Sequence, residues 1–100
     1  MAQLTDAERL KKIKIALYGT AVNNYNDEQL QFYIDEVIAD LIDSGVKEAV
    51  ARSTAAVGCI AIGVNDLWNY TSGGVKHSEQ YNRRLIQLSK KEGDTDVQTK

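Results

Sequence analysis

The chain has 100 residues, of which 43% are hydrophobic and 26% charged, with a formal net charge of −2 and no proline. This length suits one domain with a modest core and leaves too little chain for a core plus a deep substrate cavity. The slightly acidic balance argues against binding of nucleic acid through overall charge, and the lack of proline favours helices joined by short turns.

The charges are unevenly distributed along the chain. Residues 1–18 carry four bases and two acids, residues 19–46 carry six acids and no base, and residues 71–91 carry five bases and one acid. The acidic second segment could therefore pair with the basic first or last segment, within one subunit or between neighbours. The alternative is that each charged segment is the solvated face of a helix.

The single cysteine, Cys59, excludes an intrachain disulfide, and its apolar neighbours favour a packed thiol over a reactive one. The N-terminal residues lack the apolar segment of a signal peptide, so we expect a protein that is intracellular at synthesis. The longest apolar stretch, residues 55–64, is about half of the ~20 residues that a membrane span needs. We therefore expect no membrane association.

Two helices are predicted in the first half of the chain, over residues 6–18 and 27–44. The first begins at a capping box formed by Thr5 and Glu8, and Asn26 caps the second. The second ends in a Schellman motif that places a glycine in the left-handed conformation and a valine behind it. These last two residues are Gly45 and Val46, and the apolar faces are Leu10, Ile13 and Leu17, then Leu30, Ile34, Val37, Ile38, Leu41 and Ile42.

The stretch from Val46 to Tyr70 is predicted to be a central helix that begins near Lys47. Its apolar residues are spaced alternately by four and three, which places them on one face of a helix, and small residues on other faces let neighbouring backbones approach closely. An alternative stays open for residues 57–64, since an eight-residue apolar run also suits a buried strand. The main face consists of Val46, Val50, Ser53, Val57, Ile60, Val64 and Leu67.

A final helix is predicted from His77–Ser78, after a turn or flexible loop at residues 71–74. Residues 92–100 show no apolar periodicity, and we expect them to be disordered in the isolated protein. The apolar stripe of this helix is Tyr81, Leu85 and Leu88, and the bases off the stripe are Arg83, Arg84, Lys90 and Lys91. The sequence thus predicts an all-α fold: a bundle of about four helices over residues 1–91 with a long central helix and a flexible C-terminal tail.

No group of residues in the sequence points to catalysis. His77 is the only histidine, and as a general base it would need an orienting carboxylate. The histidine, the cysteine and the scattered carboxylates lack metal-ligand spacing, and Gly73-Gly74 lacks the wider pattern of a phosphate-binding loop. We therefore expect no enzymatic activity, no catalytic residue, no cofactor and no metal.

Trp68, Tyr70 and Tyr81 form an aromatic group around the loop that precedes the last helix. Two interpretations stay open for this group. Either Trp68 closes the end of the core, or a rigid aromatic side chain beside a flexible loop anchors a partner. The basic last helix with the tail is a second candidate docking element, which would become ordered on binding.

Four phrases follow one another in a distinctive order: IALY (15–18), YIDEVIADLIDSGV (33–46), LWNY (67–70) and SEQYNRRLIQLS (78–89). In this order, with a glycine-bearing loop before the last phrase, they resemble the head–tail connector (head-completion adaptor) proteins of long-tailed bacteriophages and prophages. The resemblance covers about residues 8–90 and consists of apolar patterns and turns. The alanine- and glycine-rich segment 55–63 departs from it, because its side chains are smaller than expected for the family.

This resemblance implies a structural virion protein that forms a homo-oligomeric ring between portal and tail. Such a ring extends the DNA channel and completes the head after DNA packaging, without enzymatic activity of its own. The expected partners are the portal protein, the head-completion and tail proteins, and further copies of the chain, while DNA only passes through the channel. The expected location is the capsid vertex of the virion, and the host cytoplasm before assembly.

A ring subunit needs two different lateral surfaces, which the acidic second helix and the basic first or last helix would supply. Two alternatives stay open: a small helical DNA-binding regulator that uses the bases of the last helix, and a generic helical adaptor. The candidate contact residues are Asp35, Asp43, Trp68, Tyr70, Arg83, Arg84, Lys90 and Lys91.

Overall fold

The computed structural model describes residues 3–18, 26–71 and 78–91, with the side chains of all but residues 70 and 71. Over these ranges the chain is all-α, as predicted, and its only β-type pairing there is an isolated antiparallel bridge between Gln3 and Ser53. The α-helices are α1 (Asp6–Ala16), α2 (Asp27–Asp43), α3 (Glu48–Ala51), α4 (Val57–Thr71) and α5 (Glu79–Ser89), with a 3-10 turn at Thr54–Ala56.

The first two helices begin at the predicted caps. The Thr5 hydroxyl accepts a hydrogen bond from the Glu8 amide at 3.1 Å, and the Glu8 carboxylate accepts one from the Thr5 amide at 2.9 Å. Asn26 and Gln29 form the same reciprocal pair at 2.8 and 3.3 Å. Each box pairs amides that the first helical turn leaves without a backbone acceptor, so the helix starts are determined locally.

The end of α2 is the predicted Schellman motif. Gly45 has φ = +106°, a left-handed conformation that only glycine adopts readily. The Val46 amide donates to the Leu41 carbonyl at 2.9 Å, and the Gly45 amide donates to the Ile42 carbonyl at 3.1 Å. Val46 is 2% exposed and belongs to the core, so the motif also directs the chain back into the bundle.

The central segment differs from the prediction of one continuous helix, because the chain is interrupted between α3 and α4. Ser53 has extended backbone angles (φ −96°, ψ 171°) and is completely buried. Its hydroxyl donates to the Val50 carbonyl at 2.7 Å and accepts from the Ala55 amide at 3.2 Å. The serine side chain therefore pairs backbone groups that an uninterrupted helix would have paired itself.

Residues near the N-terminus stabilise this interruption. The Leu4 amide donates to the Arg52 carbonyl at 3.2 Å, and Nη2 of Arg9 donates to the same carbonyl at 3.0 Å. Arg9 is only 1% exposed, and it also pairs with Asp6 at 2.8 Å. The break is thus a tertiary feature, which the spacing of apolar residues does not reveal.

Helix α4 is the centre of the bundle and packs against α1, α2 and α5. Residues 57–64 lie in this helix, so the strand alternative is wrong. A methyl group at Gly63 would lie 2.7 Å from Cε1 of Tyr81 and 2.8 Å from Cγ1 of Val37. Glycine at this position therefore allows α2 and α5 to approach the centre closely, as the small residues of the segment predict.

Candidate interaction surfaces

The outer face of α2 carries a large aromatic residue among acids. Phe32 is 62% exposed, although the other large apolar residues of α2 are buried or half-buried. Glu28 lies one turn before it and Asp35 and Glu36 one turn after it, and all three are exposed. The ring of Phe32 meets that of Tyr33 edge to face, with 5.8 Å between the centroids, but most of it stays exposed among carboxylates. This exposure marks Phe32 as a candidate contact residue.

Phe32 borders an open groove between α1 and α2 with a volume of about 530 Å³. Ala7 and Leu10 of α1 line it with apolar atoms. Its other residues are polar or acidic: Asp6, Asp27, Glu28, Gln31 and Asp35. The groove therefore combines apolar side chains with a surrounding set of acids.

Two of these acids are already paired with cations of α1. Asp6 binds Arg9 at 2.8 Å, and Asp27 binds Nζ of Lys14 at 2.8 Å across the two helices. Glu28 and Asp35 make no ion pair with a described cation, although Asp35 accepts a hydrogen bond from Gln31 at 2.9 Å. The uncompensated negative charge of the groove therefore lies beside Phe32.

The apolar surface continues along α1 beyond the groove. Ile15 is 68% exposed and Tyr18 is 84% exposed. They line a second depression of about 530 Å³ together with Lys11 and Lys14. The outer side of α1 and α2 thus changes from acidic around Phe32 to basic around these two lysines.

The outer face of α5 has the opposite composition to that of α2. Ile86 is 55% exposed, with Arg83 three residues before it and Lys90 four residues after it, both exposed. Spacings of three and four place these side chains in one row along the helix, which we call the α5 stripe. Arg83 makes a long ion pair of 3.7 Å with Glu79, exposed on both sides and therefore weak.

The other predicted contact residues lie outside the groove and the α5 stripe. Asp43 is exposed at the last position of α2, about two turns beyond Asp35 and outside the groove. Arg84 is exposed but lies over α4, where a methyl group at Gly58 would be 3.1 Å from its Nη1. Lys91 is exposed just after α5. Of the eight candidates, Asp35 belongs to the groove, and Arg83 and Lys90 share the stripe.

The structure describes two of the three side chains of the predicted aromatic group, those of Trp68 and Tyr81. Trp68 is partly buried and packs against the core. Tyr81 is completely buried and donates a hydrogen bond to Oδ2 of Asp40 at 2.8 Å. The side chain of Tyr70 lies outside the described residues, as do residues 19–25, residues 72–77 with His77, and residues 92–100, for which a flexible tail is predicted.

The inner side of α5 is held by polar groups as well as by apolar packing. Asp66 accepts hydrogen bonds from the amide and the hydroxyl of Ser78, both at 2.8 Å, and Ser78 caps α5. Burial raises the pKa of Tyr81, and the hydrogen bond to the Asp40 carboxylate raises it further. Tyr81 is therefore a neutral donor that joins α5 to α2.

The single thiol lies under α5. Cys59 is 1% exposed, with its Sγ 4.0 Å from the Tyr81 carbonyl oxygen. Burial raises its pKa from 9.0 to about 11, a change that the positive charge of Arg84 partly offsets. A protonated, buried thiol is inert toward oxidants and electrophiles, which agrees with the predicted packing role.

Sequence reasoning missed the apolar centre of each surface. Phe32 and Ile86 are large apolar residues that fall outside the predicted buried faces of α2 and α5, and this displacement was the available signal. Arg9 was also missed, because a single arginine among lysines gives no sign that it will be buried.

Two features are absent from the residues that the structure describes. No three histidine, cysteine, aspartate or glutamate side chains lie close enough there to hold a metal ion together. None of the helices in these ranges has the length and apolar character required to cross a bilayer.

Comparisons with known protein families, with curated proteins and with solved structures found no match to this chain. What the fold defines is a small all-α bundle with two oppositely charged outer faces, each centred on an exposed apolar side chain.

Proposed function

We propose that this protein is a structural subunit of a bacteriophage head–tail connector. In this role it forms a ring between portal and tail, extends the DNA channel, and completes the head after DNA packaging without catalysing a reaction. The observation that carries the proposal is the presence of two different outer faces on one small helical bundle, one acidic around Phe32 and one basic around Ile86.

Two unlike faces are what a subunit of a closed ring requires. In a cyclic ring of more than two copies, each subunit contacts its two neighbours through different surfaces, so a patch must complement another patch and not itself. A face with acids around an aromatic residue complements a face with bases around an aliphatic one. The four sequence phrases supply the second support, because they link this arrangement to connector proteins in particular.

Electron microscopy of portal vertices tests the proposal directly. Capsids produced with the protein should show an additional ring-shaped layer on the outer side of the portal, and capsids produced without it should lack that layer. Identical vertices in the two preparations would contradict the proposal.

A paired charge reversal adds a test at the level of residues. Asp35→Lys together with Asp43→Lys should reduce the occupancy of the layer, because both positions lie on the acidic outer face of α2. Glu48→Lys with Ala55→Lys and Asn69→Lys makes the same change in net charge at exposed positions outside both α2 and α5 and should leave occupancy unchanged.

A DNA-binding regulator is the second candidate, favoured by the exposure of Arg83, Arg84, Lys90 and Lys91 on and just after α5. A regulator of this kind would bind duplex DNA with an affinity that falls steeply with salt, whereas a connector subunit should bind free duplex barely at all. Titration of labelled duplex at about 50 and 200 mM salt separates the two. A generic helical adaptor, the third class, is distinguished by the genes beside it, since portal and capsid genes favour a connector.

A further inference from the structure

The acidic face of α2 and the α5 stripe match each other in detail. On α2 an exposed apolar residue, Phe32, has an acid four residues before it (Glu28) and an acid three residues after it (Asp35). On α5 the exposed Ile86 has a base three residues before it and a base four residues after it. These bases are Arg83 and Lys90.

The two patterns coincide when the helices run antiparallel. With Phe32 opposite Ile86, Glu28 lies opposite Lys90, since each is four residues from the apolar centre, or about 6 Å along the helix axis. Asp35 then lies opposite Arg83, each being three residues or about 4.5 Å from the centre. No residue of either row is left facing a like charge.

The helix dipoles favour the same orientation. In an antiparallel pair the positive N-terminal end of α2 lies beside the negative C-terminal end of α5. Glu28 belongs to the first turn of α2 and Lys90 is the C-terminal cap of α5, so each charge also complements the terminus of its own helix.

The two rows cannot meet within one chain. The buried Tyr81 and Leu88 of α5 face the core, and α5 packs on α4, so the stripe points away from the bundle. Phe32 points away from the core on the opposite, solvent-exposed side of α2. Each row is therefore accessible to another molecule.

We propose that α5 of one copy packs antiparallel on the outer face of α2 of the next, with Phe32 against Ile86 and the ion pairs Glu28–Lys90 and Asp35–Arg83. The contact is head to tail, so it repeats from copy to copy. It rests on the proposed function only in that both require neighbouring copies to touch through unlike faces.

Two variants isolate the two halves of the contact. Phe32→Glu removes the apolar centre of the α2 face, and Ile86→Glu does the same for the α5 stripe. Sedimentation of the full chain over a concentration series up to about 1 mM should show association of the unaltered protein, weakened about tenfold or more in each variant. The matched controls Ala55→Glu, in the 3-10 turn, and Gln87→Glu add the same charge at exposed positions outside the contact and should leave association unchanged.

Mixing the two variants tests the head-to-tail geometry. Phe32→Glu retains an intact stripe and Ile86→Glu retains an intact α2 face, so the mixture should form a one-to-one dimer that cannot grow further. An unaltered protein that stays monomeric over the whole concentration range would overturn the proposal. So would a mixture that stays monomeric while the unaltered protein associates, since the contact would then lie elsewhere.

A charge exchange provides a readout that does not depend on the apolar residues. Asp35→Lys alone and Arg83→Glu alone should each weaken association, and the two changes in one chain should restore it. Failure of this restoration would overturn the proposed register. Electron microscopy of portal vertices separates this contact from the connector function. Rings that form normally with Ile86→Glu would refute the contact but not the connector function. Head-to-tail association in solution without any layer at the portal would refute the connector function but not the contact.

Discussion

Helices α2 and α5 each carry an exposed apolar residue among charges, acidic on α2 and basic on α5, but they are attached to the bundle in different ways. α2 has 17 residues and buries five apolar side chains, whereas α5 has 11 residues and buries two, Tyr81 and Leu88. The smaller apolar area of α5 is supplemented by hydrogen bonds to two carboxylates, those of Asp40 and Asp66. The free energy gained by burying apolar side chains is roughly proportional to the area buried. We therefore expect local unfolding of α5 to require less free energy than local unfolding of α2.

This difference bears on function as well as on stability. If α5 forms one side of the contact between copies, the less firmly attached of these two helices carries one of the two interaction faces. Such a helix can adjust its position on binding at small cost, while α2 presents a rigid face.

The largest expected effect is that of Tyr81→Ala, which should cost about 3–5 kcal/mol because it removes a completely buried aromatic ring. Native-state hydrogen exchange should show the loss mainly in α5 amides, with α2 amides retaining more protection. The milder Tyr81→Phe keeps the ring and removes only the hydrogen bond to Asp40, so it should cost about 1 kcal/mol. Equal loss of protection in both helices would show that they unfold as one unit and would refute the proposed difference.

The next effect concerns the glycines on two sides of α4. Gly63→Ala should destabilise the protein by about 1–3 kcal/mol, because the new methyl group would meet both Tyr81 and Val37 at under 3 Å. Gly58→Ala is the matched control: its methyl group would meet only the end of the flexible Arg84 side chain at 3.1 Å. Because alanine favours a helix, this change should be neutral or stabilising by up to about 1 kcal/mol.

Urea denaturation of the two glycine variants measures this contrast. The expected result is a lower midpoint for Gly63→Ala than for the unaltered protein, and an equal or higher midpoint for Gly58→Ala. Similar losses in the two variants would mean that α2 and α5 do not approach α4 at Gly63 as closely as described.

The smallest effect is an alkaline loss of stability beneath α5. The pKa of Cys59 rises from 9.0 to about 11 on burial, so above pH 9 the unfolded chain releases a proton that the folded protein still holds. The contribution of the protonated thiol to the free energy of unfolding is therefore fully present below pH 9 and is lost as the pH rises to about 11. Tyr81, whose pKa is also raised, contributes a loss of the same sign above pH 10.

Unfolding free energies measured at about pH 8 and pH 10 check this linkage. Between these two pH values, the free energy of unfolding of Cys59→Ala should fall by about 1 kcal/mol less than that of the unaltered protein. An unchanged pH dependence would show that the thiol is not the group responsible. Thiol labelling at pH 8 gives a companion result, since the native protein should react far more slowly than the unfolded chain.

The sequence by itself determined the helices and most of their boundaries. Thr5, Asn26 and Gly45 act through backbone groups within a few residues, so their effects are readable without knowledge of the fold. The apolar spacing likewise identified the buried faces of α2 and α5. It also indicated that small residues in the centre would permit close packing, which Gly63 confirms.

The tertiary structure alone decided the interruption at Ser53 and the position of α5. Ser53 fits the apolar spacing, and it is buried as that spacing predicts. The helix is nevertheless interrupted there, where Leu4 and Arg9, more than forty residues earlier in the chain, donate hydrogen bonds to the Arg52 carbonyl. The hydrogen bond from Tyr81 to Asp40 likewise joins residues 41 positions apart. Hydrogen bonds between distant residues leave no periodic trace, so only the folded chain shows which polar groups are paired inside and which apolar ones are left outside.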